Sequence, residues 1–140
     1  MSVLEKALNP DVIIGLSLPM DHTDGSGFFP GTQNTLSQTT SNIQNLLLTA
    51  KGERVGQPEF GTDVTAILFE PITPDIGDRL EASITDGISQ WLPYVTIQNI
   101  FVSTPDDQPN SIFISIEFSV DIEDPDVVET ITFNFNTVEE

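Results

Sequence analysis

Lys51 and Arg54 are two of only four basic residues in a chain of 140, and they stand with Glu53 and Glu59 in a stretch punctuated by Gly52, Gly56, Pro58 and Gly61. A guanidinium is a planar fork of donors that a carboxylate or backbone carbonyls accept in fixed geometry. Two uses fit these residue types. One is an internal ion pair or carbonyl clamp that fixes the loop, with Pro58 and Gly61 shaping the backbone. The other is a shaped loop that grips a neighbouring chain. Elsewhere the chemical signals are thinner. His22, between Asp21 and Asp24, has the donor types of a metal ligand set, but a lone histidine in a polar loop reads as a surface residue. Asp121, Glu123, Asp124 and Asp126 offer hard oxygens, yet lack the glycine and late glutamate of an EF-hand and read as a solvated turn. Gly25, Ser26 and Gly27 have no lysine beside them to cradle a phosphate. No Ser/His/Asp set forms around His22, and nothing calls for a cofactor.

Twenty-two acids against four bases leave a net charge of −18. Residues 80–140 alone carry 12 acids and no base. Nucleic-acid binding needs lysines and arginines to neutralise phosphates, so it is excluded, and anionic membrane surfaces with it. Such acidity serves as a solvating surface, as an adaptation to salt, or as the complement of a basic partner. With no cysteine, neither disulfides nor thiol chemistry are available. The length suits a single domain. No apolar run approaches the ~18 residues of a membrane span, and residues 1–11 lack the layout of a signal peptide, so a cytosolic translation product is expected.

The elements that must position these groups follow from periodicity. Val12, Ile14, Leu16 and Leu18 alternate with Ile13, Gly15 and Ser17, which predicts a half-buried strand closed by Pro19. Residues 20–35 read as an irregular loop in which Phe28 and Phe29 can serve as anchors. Leu36, Ile43, Leu46 and Leu47 share one face of a helix over residues 34–50, with Gly52 placed to cap it and Lys51 near the negative end of its dipole. Residues 64–69 are short and apolar, and fit a strand or a single helical turn equally. Thr73, Pro74 and Asp75 form a helix start, and Ile76, Leu80, Ile84 and Ile88 recur every fourth residue up to Trp91 and Pro93. Gly77 and Gly87 each weaken that helix by roughly 1 kcal/mol relative to alanine, so packing must hold it. An exposed Asp75–Arg79 pair is expected on its surface. Residues 95–103 read as a strand whose apolar phase shifts at Gln98 and Asn99, as a bulge would make it. Residues 112–122 alternate without fault, and after a turn at Glu123–Asp126 residues 128–136 form a last strand with Ile131, Phe133 and Phe135 on one face. The expected fold is α+β in the order β-α-α-β-β-β, an antiparallel meander with one face covered by the helix over residues 76–91.

Residues 43–49 (a helix end, Ile-Gln-Asn-Leu-Leu-Leu-Thr), 51–55 (Lys-Gly-Glu-Arg-Val), 58–61 (Pro-Glu-Phe-Gly) and 68–71 (Leu-Phe-Glu-Pro), followed by a helix ending in Trp91 and Pro93 and then by strands, resemble in order and spacing the wedge or sheath-initiator proteins of contractile phage tails. These are small baseplate subunits sometimes labelled lysozyme-like, with relatives in bacterial contractile injection machines. The resemblance runs from about residue 42 to the C-terminus and leaves residues 1–40 unsupported. It implies a virion protein of the tail baseplate, assembled in the host cytoplasm, monomeric alone and repeated around a sixfold baseplate, without enzymatic activity. It implies two partners. Baseplate wedge proteins would be met by Lys51, Glu53, Arg54, Pro58, Glu59, Phe60, Gly61, Phe69, Glu70 and Pro71. Tail sheath subunits would add strands to an uncovered edge at Ile131, Thr132, Phe133, Asn134 and Phe135. The lysozyme-like label also implies an alternative, a cell-wall-degrading enzyme with two carboxylates across a sugar cleft, for which Glu53, Glu59, Asp63 and Glu70 are the candidates. Against it, aromatics for stacking sugars are scarce, and the single Trp91 falls on the apolar stripe. An acidic adaptor for a basic partner is a third reading.

Overall fold

The computed structural model describes residues 13–20, 30–107, 111–121 and 127–136. Among these the elements run β1 (Gly15–Leu16), β2 (Gly31–Thr32), α1 (Thr35–Leu48), α2 (Val64–Leu68), α3 (Ile76–Trp91), β3 (Val95–Ser103), β4 (Ser111–Val120) and β5 (Glu129–Asn136). The class is α+β as expected, in the order β-β-α-α-α-β-β-β. A short β2 joins the expected list, and the apolar run after residue 63 is a helical turn. Two compact units are present, Met1–Asn45 and Leu46–Glu140.

In the first unit the strand expected over residues 12–18 shortens to two residues, paired antiparallel as Gly15↔Thr32 and Leu16↔Gly31. Its alternation buries little, since Ile13, Ile14 and Leu16 are 66, 42 and 48% exposed. A strand extends only as far as its partner, and β2 is preceded by Pro30, which has no N–H to donate. Asn34 starts α1, its side-chain oxygen accepting from the Ser37 amide at 2.7 Å. Val12, His22, Phe28 and Phe29 lie outside the described residues.

The second unit is built on α3 and the sheet β3-β4-β5. Ile76, Leu80, Ile84 and Ile88 are all at most 5% exposed, so the four-residue repeat read from the sequence is the buried stripe of α3. On β4, Ile112, Ile114, Ile116, Phe118 and Val120 are buried, opposite Ile131 and Phe133 of β5. The expected bulge is present: Ile97 pairs with Phe118 and Asn99 with Glu117, leaving Gln98 as the extra residue. The Gln98 side chain donates through Nε2 to Ser119 Oγ at 3.1 Å. Residue 122 and the turn at 123–126 lie outside the described residues.

Three local expectations are corrected. Gly52 does not cap α1, which ends at Leu48; it turns the following loop with φ 88°, its amide donating to the Pro58 carbonyl at 2.7 Å. Lys51 lies beside Asp63, with Nζ to Oδ2 at 2.8 Å, where a full opposite charge outweighs the fractional charge of a helix end. Helix α3 begins at Ile76 rather than at Pro74, with residues 73–75 in a turn closed by the Ile76 amide on the Thr73 carbonyl. The Thr73 hydroxyl is spent on the Asp75 carboxylate, and this hydrogen bond is the main reason the Asp75 carboxyl lies below its ordinary range.

The segment from Phe60 to Glu70 descends along α3, and its contacts fall on every fourth helical residue. Phe60 meets the Trp91 ring, Thr62 packs at Gly87, the Asp63 amide donates to Ser83 Oγ at 3.1 Å, and Glu70 pairs with Arg79. Residues 79, 83, 87 and 91 share one face of a helix. Gly87 is what permits the approach. A Cβ there would lie 2.6 Å from Thr62 Cγ2, and Thr62 is buried with its hydroxyl donating to the Leu47 carbonyl at 3.3 Å. At Gly77 a Cβ would meet nothing nearer than Val102 Cβ at 3.9 Å. The two glycines therefore respond oppositely to alanine. Gly87→Ala loses stability by about 1–3 kcal/mol through overpacking despite its better helix propensity, whereas Gly77→Ala is neutral or gains up to about 1 kcal/mol. Urea unfolding of both variants measures this.

Candidate partner-binding site

Residues 51–61 form a braced loop rather than an open one. Beyond the Gly52–Pro58 bond, the Gln57 amide donates to the Arg54 carbonyl at 3.3 Å and the Phe60 amide to the Gln57 carbonyl at 3.0 Å. The loop closes where the Thr62 amide donates to the Thr49 carbonyl at 3.0 Å, beside a parallel bridge between Ala50 and Thr62. Gly61 sits at that closure with φ 119°, and a Cβ there would lie 2.4 Å from the Thr49 carbonyl oxygen, so no other residue fits.

Of the two uses open to Glu53 and Arg54, the geometry shows parts of the first. Glu53 Oε2 accepts from the Ala50 amide at 3.0 Å, a carboxylate clamp on its own turn. Arg54 lays its guanidinium over the Phe60 ring, 3.8 Å from the centroid. Phe60 in turn meets Trp91 edge to face, centroids 5.2 Å apart at 61°. Cation, ring and indole thus form one column from the loop to the end of α3. Trp91 is half-buried, at the margin of the apolar stripe rather than inside the core. Its indole N–H is buried and has no hydrogen-bond partner among the described residues. At the loop tip Val55 is fully exposed, with Pro58 and Glu59 also on the surface.

The structure divides the expected contact residues into two groups. Lys51, Glu53, Arg54, Pro58, Glu59, Phe60 and Gly61 gather near the C-terminal end of α3. Glu70 lies at the other end, bound to Arg79 by both oxygens, at 2.6 and 3.2 Å, flanked by Phe69 at 82% exposure and by exposed Pro71. With a rise of 1.5 Å per residue, the stretch of α3 from Arg79 to Trp91 separates the two groups by about 18 Å. This Glu70–Arg79 pair replaces the expected Asp75–Arg79 pair, because Glu70 engages the guanidinium fork bidentately while the Asp75 carboxylate is held by Thr73. Arg79 holds the Glu70 carboxyl below its ordinary value, the opposite of what a general acid of glycoside hydrolysis requires. Asp63, a second candidate, is paired with Lys51. Among the described residues no cluster of three or more acidic or histidine side chains could hold a metal ion.

At the far side of the unit, β5 pairs only with β4 among the described residues. Ile131 and Phe133 are buried, Phe135 is half-buried and stacked on Phe133 with centroids 6.0 Å apart, and Thr132 and Asn134 are exposed. The groups that periodicity alone missed are Ser83 and Thr62. Each contributes one short polar side chain whose partner is distant in sequence, and such contacts leave no periodic trace.

Residues 37–124 match the model of the family described as baseplate wedge protein gp25. Baseplate wedge protein gp25 of Enterobacteria phage T4 is 31% identical over 96 residues, which span 69% of this chain and 71% of that protein. Among solved structures, a putative tail lysozyme from Geobacter sulfurreducens superposes with a TM-score of 0.68 at 21% identity, over 79% of this chain and 97% of that one. A chain of the baseplate complex from the type VI secretion system superposes with a TM-score of 0.56 at 18% identity, over 74% of this chain and 94% of that one. The fold is therefore shared between a protein called a tail lysozyme and a component of a secretion baseplate. The chain belongs to the baseplate wedge protein gp25 family, structural wedge components of contractile tail systems.

Two measurements check the column and the ion pair. Phe60→Ala removes both the seat of Arg54 and the cover of Trp91, so it loses about 1–3 kcal/mol, less than a fully buried phenylalanine, and shifts the emission of the only tryptophan to the red. Arg54→Ala loses the cation–ring contact, worth up to about 1 kcal/mol. For Glu70 the folded-state carboxyl titrates below the unfolded one, so its contribution is present above the ordinary carboxylate range and is lost as pH falls through the lowered value. The small difference in Tm between the wild type and Glu70→Gln should shrink to nothing in acid.

Proposed function

We propose that this protein is a non-enzymatic subunit of a contractile tail baseplate, which anchors to wedge proteins through residues 51–61 and starts the sheath by accepting extended sheath segments on β5. The observation that carries the reading is the family match over residues 37–124, which spans the braced loop, α3, β3 and β4. A loop held by its own backbone bonds, with Val55 and Glu59 outward and Arg54 seated on Phe60, presents a preformed surface and loses little entropy on docking. An edge strand with free backbone groups takes another strand by augmentation. Here Glu117, Asp121 and Glu129 disfavour pairing between two copies, which supports a monomer in solution and a less acidic or basic incoming strand. The relative called a putative tail lysozyme keeps cell-wall cleavage as the competing reading.

Baseplates reconstituted with variants test the proposal. Arg54→Ala weakens incorporation while its melt moves little, and Thr132→Pro, once shown by its melt to be folded, enters baseplates but does not start a sheath. Normal sheath on baseplates carrying the folded proline variant rules out the strand-acceptor mechanism. Turnover of purified peptidoglycan that is lost in Glu53→Gln or Glu70→Gln overturns the non-enzymatic reading.

A further inference from the structure

Where β3 ends against the start of α3, a groove of about 390 Å³ opens between Ile72, Thr73, Pro74, Ile76 and Gly77 on one side and Val102 and Thr104 on the other. No charged side chain lines it. Ile72 is 41% exposed at its mouth, and a Cβ built at Gly77 would be no closer than 3.9 Å to Val102, so the groove is open beside the helix. An apolar side chain is what such walls accept. The surroundings set a second condition. Asp75 stands between two lining residues, Asp78 follows Gly77, and Asp106 and Asp107 follow Thr104 closely, all four exposed. Arg79, the one base of this region, has its guanidinium committed to Glu70 through two bonds. Four exposed acids thus lie within three residues of the lining in sequence, while the lining itself is uncharged. A second copy of this chain, at −18, would bring like charge to these acids and does not fit.

We propose that this groove is a second partner site, which takes an apolar side chain from a lysine- or arginine-flanked segment of another baseplate protein. It rests on the chain's role as a subunit of a larger assembly, and it adds a contact about 22 Å along α3 from residues 51–61. The basic flanks supply orientation and on-rate, the apolar residue the burial, so binding weakens as salt rises.

Three short synthetic peptides test it by amide chemical shifts of the full chain: leucine between lysines, leucine between glutamates, and serine between lysines. The expected result is saturable shifts at Ile76, Gly77, Val102 and Thr104 with the first peptide, at least tenfold weaker binding of the other two, and loss of the shifts in Gly77→Leu, a helix-favouring change that fills the groove. Equal binding of the glutamate peptide, equal binding of the serine peptide, shifts that persist in Gly77→Leu, or no shifts at all each overturn the groove. The loop contact is judged separately: an Arg54→Ala defect in baseplate incorporation that survives a negative peptide result leaves the proposed function standing and removes only this site.

Discussion

The path of residues 60–70 depends on one face of α3. Phe60, Thr62, Asp63 and Glu70 meet the helix at Trp91, Gly87, Ser83 and Arg79, so an irregular segment is positioned by a rigid one at four successive turns. The constraint is steric at its centre, since Thr62 occupies the space a side chain at Gly87 would need. At its two ends the contacts are a ring pair and a bidentate ion pair. Exposed ion pairs of this kind contribute little to stability. Their use is register: they fix where the loop before Thr62 and the apolar strip after Leu68 emerge. The neighbouring stripe of the helix, Ile76 to Ile88, is buried in the core. Segment 60–70 and the core are therefore set by adjacent stripes of a single element.

In this acidic chain the bases of the second unit are held in place. Its acids are spread over the surface, but Lys51, Arg54 and Arg79 are each fixed in place by the fold, on Asp63, Phe60 and Glu70. Long basic side chains that are already ordered lose less rotamer freedom when a partner arrives. On β5 the same economy holds for the backbone: its apolar face is anchored by Ile131 and Phe133 while Thr132 and Asn134 leave the other face small and polar.

What could be read from the sequence was what repeats. The stripe of α3, the alternation of β4 and the bulge at Gln98 each rest on several residues in phase, and each stands in the structure within a residue or two. The ten expected contact residues were legible as a motif but not as a geometry, because nothing in their spacing says that Glu70 lies some three helical turns from Arg54. Single contacts were least legible. Gly87 reads as a flaw in a helix until Thr62 is seen beside it, and Arg79 can reach a carboxylate four residues before it or nine, a choice made by the tertiary path of the chain. The two-residue β1 shows the converse error, a periodic pattern without a partner long enough to pair with it.

Which backbone becomes covered on joining a baseplate separates the loop contact from the strand contact. Hydrogen–deuterium exchange of the purified chain, of baseplates and of sheathed baseplates reads this directly. The account predicts that amides of residues 51–61 slow on incorporation into the baseplate, and that the free-edge amides of β5 slow only when sheath is added. Unchanged exchange in residues 51–61 within intact baseplates, or protection of β5 before any sheath is present, would contradict it.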